Sequence, residues 1–274
     1  MTIVDSPALL AKFLRAEHDR SIGFVATMGA LHDGHIRLIK QAKEQNEIVV
    51  VSIFVNPTQF LANEDFDKYP KKDSADKKIC ELAGVTYLFM PNTASIYTND
   101  EVSLVAPAVK GYILEGMSRP GHFDGVLTVV MKLLNIVRPT RAYFGKKDAQ
   151  QLYLISLMAK RMFLDTQIIA VDTLRDKDGL AYSSRNSYLS KEQRELALKI
   201  PRSLRIATSM IIEKKFDSAK IIKKMKEILN PLEVAYIAVV DREFNALTKV
   251  EISNTIILVE VLVGQTRLLD NIWI

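Results

Sequence analysis

The sequence predicts an α/β protein, and three observations carry that expectation. Helical and strand-like patterns alternate through the first two-thirds of the chain, as a parallel sheet with right-handed crossovers requires. One strand pattern, residues 48–55, is an almost unbroken aliphatic run, the mark of a strand covered on both faces. After Asp172 the alternation gives way to two helices and then three strands. The expected organisation is therefore a parallel-sheet domain over residues 1–173 and a smaller α+β domain over residues 174–274, long enough to fold by itself.

Each element has a local cause. Ser6 and Pro7 open a helix with an N-cap hydroxyl and a proline at the first helical position; Leu9, Leu10, Phe13 and Leu14 follow at helical spacing. Ile22–Thr27 reads as a short buried strand, followed by a tight segment over 28–34 and a helix over 35–46. Residues 72–83 suit a helix stopped by Gly84, and residues 85–90 a strand. Val126, Val129, Val130, Leu133, Leu134 and Val137 mark a helix that Pro139 ends. A strand at 141–144, a helix at 148–163 and a strand at Gln167–Val171 complete the series. Beyond a polar loop at 175–187, helices are expected at 191–214, where Pro201 kinks or divides the pattern, and at 217–229. Strands follow at 234–240, Thr255–Val263 and Thr266–Trp273.

Composition excludes several classes. With 274 residues, 48% hydrophobic and 25% charged, the chain has the apolar surface for a core that collagen-like or disordered chains lack. A lone cysteine, Cys80, allows neither an intrachain disulfide nor a Cys-rich zinc site and suits a reducing compartment. Its neighbours Ile79 and Leu82 give it a packing role. No apolar run nears the ~20 residues of a membrane span, and residues 1–7 lack the order of a signal peptide. A cytoplasmic location is expected. The net charge of +5 sits mostly in residues 174–274, on Lys214, Lys215, Lys220, Lys223, Lys224 and Lys226. Without interleaved aromatics these read as a solvated helix face, not a nucleic-acid surface.

In an open parallel sheet, ligands bind beyond the carboxyl ends of the strands. The segments expected there are residues 27–35, 56–60, 145–151 and 175–187, and they are rich in polar groups of short reach. The strongest is His32-Asp33-Gly34-His35, which opens a helix after a glycine turn. Gly29 and Gly34 let the backbone bend close to a ligand, and a helix N-terminus offers N–H groups and a positive dipole end to phosphate. Two of the chain's four histidines stand three apart on that first turn, able to donate to phosphate oxygens as charge develops. Zinc is the rival reading, but no Cys or His-Glu-x-x-His pattern accompanies the pair. The chain has no Gly-x-Gly-x-x-Gly fingerprint. Gly116 and Gly121 have P-loop spacing, yet His122-Phe123 stand where Lys-Ser/Thr is required.

Taken in order, residues 27–35, 56–60, 119–130, 145–151 and 178–189 resemble the pantoate–β-alanine ligase family; the His-x-Gly-His tetrapeptide alone is similar only to the wider nucleotidyltransferase superfamily. The resemblance implies a Rossmann-like N-terminal domain, a smaller C-terminal domain acting as a mobile cover, a homodimer, and Mg²⁺-dependent use of ATP. In the implied reaction the carboxylate of pantoate attacks the α-phosphorus of ATP, giving pantoyl adenylate and pyrophosphate. The amine of β-alanine then displaces AMP.

By the same resemblance, Met28, Gly29, Ala30, Leu31, His32, Asp33, Gly34 and His35 line the ATP site, with His35 and His32 stabilising the transferring phosphate. Asn56, Gln59 and Gln151 hold pantoate. Gly145, Lys146, Lys147 and Asp148 contact the nucleotide, Lys147 at phosphate and Asp148 at the ribose. Leu174, Tyr182, Ser183, Ser184 and Arg185 close over it, and no residue is assigned to the metal. These roles suit the chemistry. Amides read a hydroxy acid without adding charge beside the attacking carboxylate, and Lys147 and Arg185 offset the triphosphate. Residues 119–122 shape a pocket wall or a dimer contact. Lys146, Ala149, Tyr182 and Lys71 depart from the family's usual residues, and none removes a group the reaction needs. The implied partners are small molecules, with neither nucleic acid nor membrane.

Overall fold

In the computed structural model, which describes residues 1–62 and 64–274, the chain divides into two compact units. The first is Met1–Lys146 with Leu154–Asp172, and the second is Lys147–Tyr153 with Thr173–Ile274. In the first unit, strands and helices alternate as β1 (Thr2–Val4), α1 (Pro7–Ala16), β2 (Ile22–Thr27), α2 (Asp33–Gln45), β3 (Ile48–Ile53), α3 (Asp73–Leu82) and β4 (Tyr87–Phe89). The short helices α4 (Thr93–Ile96) and α5 (Glu115–Ser118) lead to α6 (His122–Val137), β5 (Arg141–Gly145), α7 (Ala149–Arg161), whose first five residues belong to the second unit, and β6 (Gln167–Val171).

The sheet of this unit is six-stranded, in the order β1-β4-β3-β2-β5-β6, and every pairing is parallel. The chain runs from β2 outward through β3 to β4, then returns to place β5 on the other side of β2. The order therefore reverses between β2 and β5, the switch point at which doubly wound sheets bind ligands. All six residues of β3 are buried, which explains its aliphatic run. Val25, Val49 and Val51 pack with Ile39 and Ala42 of α2 and Cys80 of α3. The alternate residues Phe24 and Val50 are also buried, as the two-residue period of a strand covered on both faces demands. Burial pushes the Cys80 thiol up to about 12, so it packs as a small apolar group.

Local chemistry sets the boundaries. Ser6 caps α1 by accepting from the amide of Leu9, with Pro7 following at the first helical position. Gly84, at φ 75°, ends α3 in the left-handed conformation that glycine adopts readily. Two features differ from expectation. β1 pairs with β4 at the sheet edge, but only Val4 of its three residues is buried, too short a stretch to show a period. Helix α6 begins at His122, four residues before its aliphatic stripe, because the left-handed Gly121 starts it.

In the second unit α8 (Lys191–Ala197), α9 (Lys199–Ile212) and α10 (Ser218–Leu229) precede a three-stranded antiparallel sheet, β7 (Glu233–Asp241), β8 (Thr255–Val263) and β9 (Thr266–Trp273). Ile200, Leu204 and Ile211 of α9 and Ile221, Met225 and Leu229 of α10 cover Ile257, Val259, Val261 and Val263 of β8. Pro201 falls in the first turn of α9, where its missing N–H costs nothing, so the long helical pattern is divided and not kinked.

One contact in the first unit fixes the floor of the site. Helix α6 crosses the turn at Pro57–Gln59 so closely that a Cβ on Gly125 would lie 2.3 Å from the Thr58 carbonyl oxygen. Backbone cannot yield as a flexible side chain does. Gly125→Ala is expected to destabilise the fold by about 1–3 kcal/mol, the usual overpacking cost, read as a lower urea midpoint at unchanged slope. A loss under about 0.5 kcal/mol would show that the turn can move aside.

Candidate active site

Strand β2 ends at Thr27, whose hydroxyl donates to the Ser52 carbonyl of β3 (2.7 Å) and accepts from the Gly29 amide (3.2 Å). The chain then takes two left-handed residues in succession, Gly29 at φ 84° and Ala30 at φ 49°, and enters α2. His32 is the N-cap. Its Nδ1 accepts from the Gly34 amide at 3.2 Å, and the His35 Nδ1 accepts from the His32 amide at 3.3 Å. The two imidazoles form a reciprocal capping box, with ring centroids 4.1 Å apart. An imidazole that accepts at Nδ1 carries its proton on Nε2 when neutral. The cap therefore fixes both rings with Nε2–H as the donor. Asp33 is exposed at the first position of α2, where a carboxylate complements the helix dipole.

Strand β3 leads into Asn56 and the Pro57–Gln59 turn. Asn56 is 1% exposed and organises this segment. Its amide donates to the Gln59 side-chain oxygen (3.1 Å) and the Gly125 carbonyl (3.2 Å), and its oxygen accepts from the hydroxyls of Tyr97 (2.7 Å) and Thr58 (3.0 Å). Burial, more than any neighbour, raises the Tyr97 phenol, which stays a donor. With its oxygen held, the Gln59 amide presents its NH₂ end, which donates to the Met28 sulfur at 3.1 Å. A thioether is a weak acceptor, so a carboxylate or hydroxyl arriving there displaces little.

Under Gln59 lies a buried charged cluster. Arg119 donates from Nε to Glu64 (2.6 Å), from Nη2 to Glu64 again and to the Gln59 carbonyl (3.2 Å), and pairs with Glu115 (3.4 Å). His122 Nδ1 meets the same Gln59 carbonyl at 2.8 Å, and its Nε2 meets Arg119 Nη1 at 3.1 Å. A carbonyl and a guanidinium leave one neutral tautomer, protonated at Nδ1. Burial first, and the Arg119 charge second, push His122 down to about 4. For Glu64, burial pushes upward, but the Arg119 bonds and charge outweigh it and hold the carboxyl below its usual range.

At the carboxyl end of β5, Gly145 pairs with Val171, and Lys146 donates to Asp172 at 2.6 Å. In the second unit, Lys147 pairs with Asp148 at 3.2 Å, and the half-buried Gln151 stands in the first turn of α7. The Leu174–Arg185 segment there is a pinned hairpin. Arg175 bridges to Ala181, and the Tyr182 amide donates to the Leu174 carbonyl at 3.1 Å. Arg175 grips Asp270 with two bonds of 2.5 and 2.9 Å, and Arg194 holds Asp176 and Asp178 at 2.6 Å each. Ser183 caps the short 3₁₀ turn Ser184–Tyr188 by accepting from the Arg185 amide at 3.3 Å.

Comparison with known proteins then decides the family: the family model for pantoate-beta-alanine ligase matches residues 2–273. The chain belongs to the pantoate–β-alanine ligase family. The pantothenate synthetase of Sulfurimonas denitrificans is 64% identical over all 274 residues and the whole of both chains, and that of Helicobacter pylori is 44% identical over the same full coverage. The crystal structure of pantothenate synthetase from Thermus thermophilus superposes with a TM-score of 0.95 at 36% identity, covering 100% of this chain and 99% of that one. The Francisella tularensis ligase, solved with beta-gamma ATP and β-alanine, gives a TM-score of 0.83 at 37% identity over 100% and 97% of the two chains.

In this ligase, sequence reasoning singled out the two histidines, Asn56 and Gln59 but missed how they are held. Arg119 and His122 stood out only as part of a segment expected to shape a pocket wall or a dimer contact, and Glu64, Glu115 and Tyr97 not at all. The signal available for Glu115 and Arg119 was their i,i+4 spacing; nothing in the sequence links either to Glu64. Among the described residues, no helix is long and apolar enough to cross a membrane.

Proposed function

We propose that the chain joins pantoate to β-alanine in two steps, with the capped histidine pair of α2 as the centre of the first. The observation that carries this reading is the reciprocal cap itself, which ties Nδ1 of both imidazoles to main-chain amides at the N-terminus of α2, the helix that follows β2 at the strand-order switch. Pantoate's carboxylate oxygen bonds to the α-phosphorus as the bond to the β-phosphate oxygen breaks, and pyrophosphate leaves. His35 and His32 donate to the phosphoryl oxygens, whose charge is redistributed in that step. Gln59 and Asn56, with Gln151, orient pantoate, and Lys147 and Arg185 meet phosphate charge. Gly145, Lys146 and Asp148, with Leu174, Tyr182, Ser183 and Ser184, complete the nucleotide's surroundings. In the second step the β-alanine amine bonds to the pantoyl carbonyl, loses a proton and expels AMP.

Magnesium belongs to the same proposal. Among the described residues no three His, Cys, Asp or Glu side chains gather as a metal cage, so the donor set suits an ion carried mainly by the triphosphate, with waters retained. When bound, it would neutralise phosphate charge. The proposal also places the ligase in the cytoplasm as a homodimer; the exposed Val102, Val105, Val109 and Met117 support a second copy as partner.

The test is exchange of labelled pyrophosphate into ATP. Exchange is expected to require pantoate, and the complete reaction to yield AMP and not ADP. Gln59→Ala is expected to raise the pantoate KM by about 10- to 100-fold, the loss of a hydrogen bond to a charged group, with ATP affinity little changed. Exchange driven by an amino acid and indifferent to pantoate would overturn the assignment of substrate. Loss of ATP affinity with pantoate affinity intact would invert the pocket.

A further inference from the structure

The turn that carries the histidines does not hold its shape by itself. Gly29 and Ala30 are both left-handed, and for alanine that conformation costs about 1–2 kcal/mol relative to right-handed backbone. A single side chain from another element spans the turn. Asp76, on α3, is 1% exposed; its Oδ2 accepts from the Ala30 amide and its Oδ1 from the Leu31 amide, each at 2.8 Å. Gly29 backs onto the same carboxylate, and a Cβ there would lie 3.1 Å from Oδ2. Both hydrogen bonds of this buried carboxylate go to main-chain amides. Burial raises its titration point while the two amide bonds oppose that shift, so the anion is held inside by this turn.

The consequence follows along the chain. Leu31 is bonded directly to His32, whose own amide is the donor that fixes His35. We propose that Asp76 is a positioning residue for adenylate formation: its carboxylate clamps the Ala30 and Leu31 amides and thereby sets where the His32–His35 pair meets the nucleotide. Those two amides are occupied by the clamp. The inference rests on the proposed adenylation chemistry and adds to it a group that does not touch substrate.

Asp76→Asn tests the clamp at constant volume, because a carboxamide can accept from one amide but must turn its NH₂ toward the other. ATP affinity is measured by calorimetry without pantoate, alongside the KM values for ATP and pantoate in pyrophosphate exchange and the thermal midpoint. The expected result is kcat/KM for ATP lowered by roughly 10- to 100-fold, the scale of a misplaced catalytic group, with weaker ATP binding and a pantoate KM within about threefold of wild type. Asp76→Glu keeps the anion and is expected to recover part of the loss; it is also the variant to use if the Asn protein fails to fold. An Asn variant with wild-type ATP affinity and exchange overturns the proposal. So does a loss accounted for by the folded fraction alone, with both KM values unchanged. If wild-type exchange ignored pantoate, the ligase assignment would fall, while the ratio of ATP affinities would still judge the clamp.

Discussion

Replacing His35 with alanine is expected to slow adenylate formation by about 10²- to 10³-fold, the usual loss when one preorganised donor is removed from a developing charge. The geometry makes the test discriminating, because His35 has two jobs. Its Nδ1 accepts from the His32 amide and so caps α2, while the proposed function assigns its Nε2–H to phosphate. Losing the cap alone costs about 1 kcal/mol of stability and leaves the chemistry of the folded enzyme intact. His35→Asn separates the two, since its side-chain oxygen can accept near the position of Nδ1 but nothing replaces Nε2. The Asn variant is therefore expected to melt near the wild type and to exchange pyrophosphate as slowly as the Ala variant. Near-wild-type exchange by His35→Asn would reduce the residue to a helix cap.

How far the site could be read in advance depends on whether its causes are local. The strand boundaries at Ile22–Thr27 were visible because burial on both faces leaves an aliphatic run. The helix start near His35 was visible because a glycine turn and a helical period occur within a few positions, but the role of His32 as its N-cap was not read from the sequence. Asp76 was different. It shares a helix face with Ile79, Cys80 and Ala83, three, four and seven residues on, so a charged residue on an apolar stripe was there to be noticed. What it holds lies 45 and 46 residues away, and no spacing rule reaches that far. The Arg119 cluster, which joins Gln59, Glu64, Glu115 and His122, is likewise set by how α6 crosses the turn after β3.

That cluster carries the largest expected effect on stability. Arg119→Ala leaves the carboxylates of Glu64 and Glu115, 15% and 10% exposed, without the cation they face, and is expected to cost about 3–5 kcal/mol. That is a large share of a stability that for most domains totals about 5–15 kcal/mol. The cluster also gives the fold a pH dependence with a definite sign. His122 is pushed down to about 4 in the folded chain from an ordinary 6.5, first by burial and then by the Arg119 charge, whose N–H a second proton at Nε2 would confront. The unfolded chain therefore binds that proton first. The stability contributed by neutral His122 is complete above about pH 6.5 and is lost as pH falls from there toward 4, by up to about 3 kcal/mol. Glu64, held below its usual value, adds a loss in the same direction at lower pH. In His122→Asn, whose amide can still donate to the Gln59 carbonyl, the dependence between pH 6.5 and 4 is expected to flatten relative to wild type. Parallel wild-type and variant curves across that window, measured by urea denaturation, would mean that the buried imidazole takes up its proton without disturbing Arg119.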